Sequence, residues 1–379
     1  MKKKIFMFSR DPGGTNTLIP LVRPLQQRGH DVELYGKDVA LSIYRRDGLS
    51  AINIAECVHT FGVAEISEFI IRINPDLMIT GTSIEDFMER YLWKASEKLA
   101  IPSFAMLDQW INYGIRFSRY GAHQSDTYRN DKTHPFLPTK ILVMDEIAKR
   151  EAIKDGLEPS LIEITGQPHF EALKEKVNNI TESVISRVRQ EINVGADDFV
   201  ITFASEPVSV DYRDNTGGQP YWGFTEKTIF GQLVKAVESV ADEFRGNISI
   251  VIKLHPREDN NSYVDEIDSV RGRNVRIVLV ESCDSYDLIA SSDLVCGMSS
   301  MFLIEAVVVG KPVLSVVIGL NRENPFILDR IGLLKSVLTK EELEDGLKSV
   351  MVYNTFARPL FGFIENPIER TIGLLERYT

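Results

Sequence analysis

Residues Ile250 to Pro256 read IVIKLHP, and Asp284 to Val316 read DSYDLIASSDLVCGMSSMFLIEAVVVGKPVLSV. Both contain apolar β-runs that stop at polar residues. In an open parallel α/β sheet the C-terminal ends of such strands form the ligand crevice. His255 falls at one strand end. Ser299 and Ser300 follow the strand Leu294 to Cys296 and open a helix over Met301 to Val309. Their hydroxyls and the free N–H groups of the first turn suit an anion such as a phosphate. Glu305, farther along that helix, is a carboxylate suited to ribose hydroxyls. Together these are the parts of a nucleotide mono- or diphosphate site.

The order K-L-H-P, D-L-I-A-x-S-D, G-M-S-S-M-x-x-x-E-A and G-K-P-V-L resembles the nucleotide-binding half of GT-B glycosyltransferases, a superfamily that includes the nucleotide-sugar 2-epimerases. A His-Pro motif followed by Ser-Ser is similar to bacterial capsule and sialic-acid-type transferases, and to the polyol-phosphate transferases of wall teichoic acid synthesis. The likeness spans both halves in outline and Ile250 to Val316 in detail. It implies a GT-B fold of two Rossmann-like doubly wound parallel-sheet domains facing a cleft. The function it implies is a metal-independent, cytoplasmic glycosyltransferase of surface polysaccharide synthesis. The nucleotide-sugar donor, CMP-nonulosonic acid first and UDP-sugar next, would sit on the C-terminal domain, and a glycan or lipid-linked acceptor on the N-terminal one. Alternatives are a nucleotide-sugar 2-epimerase, a CDP-polyol phosphotransferase and a non-catalytic nucleotide-sugar binding subunit. The chain departs from the epimerase pattern in carrying Gly297-Met298-Ser299-Ser300 where that family has Asp-Ser-Gly-Gly, and the acidic and histidine residues expected in its N-terminal domain are not evident.

The 379 residues suit two domains. With 44% hydrophobic and 26% charged residues the chain reads as globular. A net charge of -11 argues against a duplex nucleic-acid binder, which needs a concentrated basic surface. Cys57, Cys283 and Cys296 are scattered and read as reduced thiols. The start, Met1-Lys2-Lys3-Lys4 before Ile5 to Phe8, reads as a first strand because its apolar run meets Arg10-Asp11 at once. No stretch approaches the roughly 18 to 20 apolar residues of a membrane span, so contact with a lipid-linked acceptor would be peripheral. No His/Cys spacing and no Asp-x-Asp pair suggests a metal.

Apolar runs at Ile5–Phe8, Val32–Tyr35, Leu77–Thr80, Phe104–Leu107, Ile141–Met144 and Ile162–Thr165 alternate with helical stretches at Thr15–Arg28, Ala64–Ile73 and Ile84–Leu99. The pattern restarts at Phe199–Ala204, Ile248–Leu254, Val275–Val280, Leu294–Cys296 and Val313–Val317, after a polar connector from Lys174 to Asp197. The boundaries follow as an N-terminal acceptor domain over 1–175, a donor domain over 195–355, and a helical segment over 356–379 that the resemblance carries back to the first domain. Arg119–Thr133 and Val210–Trp222 are polar, lack periodicity, and read as mobile loops over the cleft.

Arg10-Asp11-Pro12-Gly13-Gly14-Thr15 links the first strand to the first helix, with Thr15 as N-cap, and departs from the G-x-G-x-x-G fingerprint. Asp108 follows the fourth strand. It suits either the base that takes an acceptor proton in an inverting transfer or a helix cap. Trp110, Tyr113, Arg116 and Phe117 suit a sugar platform or plain packing. In Ser205-Glu206-Pro207, Ser205 suits a phosphate and Glu206 a donor sugar or base edge, while Pro207 ends the strand. His255, with Lys253 and Pro256 beside it and Arg257 following, would stabilise the charge on the departing phosphate, as a cation or as an N–H donor. Arg322-Glu323-Asn324 is placed like a donor-contacting Arg-Glu region of the epimerases. His169, near the domain junction, reads as structural.

Overall fold

The structure, a computed structural model, describes residues 2–212, 218–255, 257–259, 261–268, 274–280, 283–356 and 364–378. The chain divides into two compact units, Met1–Ala172 with Gly362–Thr379, and Leu173–Phe361. Unit one holds β1 (Lys4–Ser9), β2 (Asp31–Gly36), β3 (Ile52–Asn53), β4 (Leu77–Thr80), β5 (Ser103–Met106), β6 (Lys140–Val143) and β7 (Ile162–Ile164). Unit two holds β8 (Phe199–Ala204), β9 (Ile248–Lys253), β10 (Val275–Val280), β11 (Leu294–Gly297) and β12 (Val313–Ser315). The sheet orders are β3-β2-β1-β4-β5-β6-β7 and β10-β9-β8-β11-β12, and neighbouring strands pair in parallel.

The strands form where they do because a parallel sheet is covered on both faces, so its strands are apolar throughout. In β1 the alternation of side chains sends Ile5 and Met7 into one core and Phe6 and Phe8 into another. The first core is roofed by the helix Pro12–Gln27, through Leu18, Leu21, Val22 and Leu25. The helix Pro367–Glu376 joins it through Ile372, Leu374 and Leu375, and Tyr378 meets Phe104 edge-on at 5.1 Å. The second is roofed by the helices Val63–Ile73 and Met88–Leu99. In unit two the helix Glu226–Ala241 fills the same role over Ile201, Phe203, Ile250 and Ile252.

Each sheet has one place where the chain reverses its direction of strand addition, between β1 and β4 and between β8 and β11. At such a switch point the connections leave to opposite faces and a crevice opens beyond the strand ends. Register places Phe8 beside Thr80, and Ala204 between Lys253 and Gly297. Arg10–Gly14 and Gly81–Ser83 therefore emerge together in one unit. Ser205–Glu206, His255 and Ser299–Ser300 emerge together in the other.

Three readings need correcting. β3 carries no apolar run and was not foreseen; it adds two residues at the sheet edge, with Ile52 exposed. The first helix begins at Pro12, because proline's fixed φ suits a first helical turn. Its N-cap is Asp11, and Thr15 lies inside the helix with its hydroxyl donating to the Asp11 carbonyl at 2.8 Å. Arg119–Thr133 is folded: it carries the turn Ala122–Gln124 and the helix Ser125–Asn130, with Tyr128 buried and Tyr120 donating to Asp131 at 2.7 Å. Val210–Trp222 lies partly outside the described residues. Its described aromatics, Tyr212, Tyr221 and Trp222, pack on one another.

Candidate functional site

In unit two the helix Met301–Val308 starts directly after the turn that ends β11. Ser300 is its N-cap and accepts from the Phe302 amide at 3.1 Å. The amides of Ser299 and Ser300 point past the cap, and there they meet Glu206. Its Oε1 accepts from Ser299 N at 2.7 Å and Ser300 N at 2.8 Å, and its Oε2 from Ser299 Oγ at 2.9 Å. Burial pushes the Glu206 carboxyl upward, against the lowering effect of these bonds. Glu206 thus places its carboxylate on the anion-binding end of a helix, where the sequence reading gave it to a donor sugar or base edge.

Ser205 is committed elsewhere. Buried, it donates to Glu258 Oε1 at 2.6 Å and shares a 2.5 Å bond with the Tyr263 hydroxyl, so its place differs from the phosphate contact expected. Glu258 turns its other oxygen to the His255 amide at 2.8 Å. Burial pushes the Glu258 carboxyl up and the His255 imidazole down, the latter to about 3, with Arg257 and Lys253 adding to the effect. His255 is therefore neutral at ordinary pH, and the cationic form is set aside. Its Nδ1 accepts from Arg257 N at 3.3 Å, which leaves the ring proton on Nε2 as a donor. Arg257 is held in a two-bond pair with Asp211, at 2.5 and 2.7 Å. The Lys253 ammonium lies 5.1 Å from the centre of the Phe302 ring. Pro256 lies outside the described residues. Glu305 is buried in the Met301–Val308 helix. Arg322 lies over the Tyr221 ring and donates to its carbonyl at 2.6 Å, and Asn324 binds Asp329 and Ser336, so this segment is tied into the unit's own loops.

In unit one Asp108 sits two residues beyond β5 and is buried, at 6% exposure. It starts no helix; the turn that follows is Gly114–Phe117. Its Oδ1 accepts from Arg116 Nη1 at 3.1 Å, and the same nitrogen donates to Thr82 Oγ1 at 2.6 Å. Its Oδ2 lies against the first turn of Pro12–Gln27: a Cβ on Gly13 would come within 1.9 Å of it. Gly14 and Gly81 touch backbone to backbone beside it, a Cβ on Gly81 falling 2.9 Å from Gly14 Cα. These glycines are what lets the β1 and β4 ends close on the carboxylate. Burial raises the Asp108 pKa, opposed by Arg116 and reinforced by the charge of Asp11. Trp110 and Phe117 are buried in packing, Trp110 donating to Asp145 at 2.8 Å and stacking on Phe170, so the packing alternative holds for them. His169 is buried.

Two neighbours went unread in the sequence. Arg90 is buried and donates to the carbonyls of Ile84, Ile115, Arg116 and Tyr120 at 2.9 to 3.1 Å, fixing the turn that carries Arg116. Glu89, 1% exposed, has no hydrogen-bond partner from another residue on either carboxylate oxygen. Burial, with the charges of Asp11 and Asp86, pushes its carboxyl up to about 8. Among the described residues no cluster of His, Cys, Asp and Glu is arranged to hold a metal, and no helix is long and apolar enough to cross a membrane.

No family model and no curated protein matches the chain. Solved structures do. The UDP-GlcNAc 2-epimerase of Methanocaldococcus jannaschii matches at a TM-score of 0.66 and 16% identity, covering 99% of both chains. The Neisseria meningitidis UDP-GlcNAc 2-epimerase bound to UDP-GlcNAc matches at 0.64 and 15%, covering 99% of this chain and 100% of that one. Anabaena HepE in complex with UDP-glucose matches at 0.60 and 15%, covering 99% and 95%. The fold is that of these GT-B-like proteins, two parallel-sheet α/β units. The glycosyltransferase expectation, with its CMP-linked donor, is overturned: UDP-GlcNAc 2-epimerase is the name carried by the Methanocaldococcus and Neisseria neighbours and by a further one from Rickettsia bellii.

Proposed function

We propose that the chain binds a UDP-linked sugar and inverts it at C2, as a nucleotide-sugar 2-epimerase. The observation that carries this is the match of both units, along nearly the whole chain, to enzymes of that activity. The residues support it in kind. Epimerisation needs one bound nucleotide sugar and no acceptor, and at its centre a group that takes a proton from carbon and a group that returns one to the other face. Carboxyls with pKa values raised toward neutrality suit that work. Asp108 is such a carboxyl, and Arg116 holds it in place. The Ser299–Ser300 amides and the neutral His255 N–H are donors for the diphosphate, whose charge must be stabilised if the anomeric bond loosens during inversion. Glu305, a carboxylate farther along the same helix, is assigned to the ribose hydroxyls.

The test is exchange at C2. In D2O the protein should place deuterium on C2 of UDP-GlcNAc and produce the C2 epimer, both read by proton NMR. Tight UDP-GlcNAc binding without exchange would leave a nucleotide-sugar binding protein, and no binding would remove the reading altogether.

A further inference from the structure

The three donors that suit a phosphate in unit two are engaged by a carboxylate of the same chain. Glu206 accepts from Ser299 N, Ser300 N and Ser299 Oγ, across 93 and 94 residues of sequence. The helix does not need it as a cap, because Ser300 already fills that role toward Phe302. The Ser299 and Ser300 amides lie at the β8/β11 switch point, where a ligand is expected on topology alone. All three donors are neutral, so the carboxylate is held by backbone and hydroxyl dipoles. On either side of it the chain is fixed: Ser205 binds Tyr263 and Glu258, and Pro207 precedes the turn Val208–Asp211. Glu206 can therefore leave by rotating its own side chain, with no shift of β8.

We propose that Glu206 is an internal competitor for the nucleotide's phosphate: carboxylate and phosphate claim the same three donors, and binding requires Glu206 to turn away. This rests on the nucleotide-sugar reading above. Such a competitor lowers nucleotide affinity and makes release easier, since the vacated amides are at once satisfied again. It also selects against neutral ligands, because only a group of greater charge than a carboxylate gains by the exchange.

The experiment is calorimetric titration of UDP and of uridine into the wild-type chain, Glu206→Ala and Glu206→Gln. Removing one charge-assisted competitor should tighten UDP by about ten-fold or more in Glu206→Ala, with uridine unchanged. Glu206→Gln keeps the shape and a neutral acceptor, so it should fall between the two, and it serves if the alanine variant melts early. Equal or weaker UDP binding in both variants, with the wild type binding UDP, would make Glu206 a permanent brace or a ligand contact and overturn the proposal while sparing the nucleotide reading. An equal gain for uridine would overturn it too, since the effect would not lie at the phosphate. Absence of UDP binding in all three proteins would sink the nucleotide reading and the competitor with it.

Discussion

Replacing Glu89 with glutamine should make the protein more stable above neutral pH and change it little near pH 4.5. The carboxyl is enclosed, lacks a partner from another residue, and faces the charges of Asp11 and Asp86, so in the fold it keeps its proton up to about 8, against 4.5 for an ordinary glutamate. Below the lower value both folded and unfolded chains are protonated, and the group makes no difference. As pH rises past it the unfolded chain ionises freely while the folded one cannot, so stability falls steadily and the loss is complete once pH passes the folded value. Each pH unit is about 1.36 kcal/mol, so the loss is of the order of 3 kcal/mol at pH 7 and 4 to 5 above pH 8. Glutamine, always neutral, removes the slope. Urea unfolding at pH 5, 7 and 8.5, with exchange of the β1 and β4 amides reporting on unit one, should give two curves that meet at acid pH and diverge toward alkali. Parallel curves would refute the reasoning, because they would mean Glu89 titrates alike in both states.

Asp108→Asn should abolish C2 exchange while UDP binding persists. It should also lower the melting temperature, because Arg116 is left buried without its counter-charge, a loss of about 3 kcal/mol; full exchange activity in this variant would remove Asp108 from the chemistry. Gly13→Ala puts a methyl where Asp108 Oδ2 lies, so exchange should drop at least as far as stability does, measured as rate and melting temperature on one preparation. His255→Ala should weaken UDP more than uridine, and the wild-type pH profile of UDP binding should show no histidine step near 6.5, because that imidazole is neutral down to about 3; such a step, lost in the alanine variant, would contradict the burial argument.

Both sheets were legible because strands covered on two faces are apolar without interruption. Phe199–Ala204 and Val275–Val280 have the predicted limits. The edge strand Ile52–Asn53 has no such run and depends on pairing with Tyr35 and Gly36. At the site, Ser299–Ser300 was legible because an N-cap is a local event. Glu206 was not, because its partners lie more than 90 residues away and nothing in Ser-Glu-Pro says where the carboxylate points. Glu89 and Arg90 failed for a related reason. On a helix of otherwise amphipathic pattern a charged pair reads as a solvated face, whereas both are buried, Arg90 against the carbonyls of the chain from Ile115 to Tyr120.

The helix Pro367–Glu376 places Ile372, Leu374 and Leu375 in the core that β1 begins. Unit two is thus an insertion within unit one, and the first unit cannot close when its own leading 172 residues have been made. On the ribosome, Leu18, Leu21 and Val22 wait with part of their cover missing while the whole of the second unit is synthesised and folds, which at about 5 to 20 residues per second is an interval of roughly ten seconds or more. The order of completion is therefore the reverse of the order of synthesis. The unit begun first is finished last, and a stall or cleavage after the second unit releases a folded half attached to an open one, with an apolar face free to bind chaperones or other copies of itself.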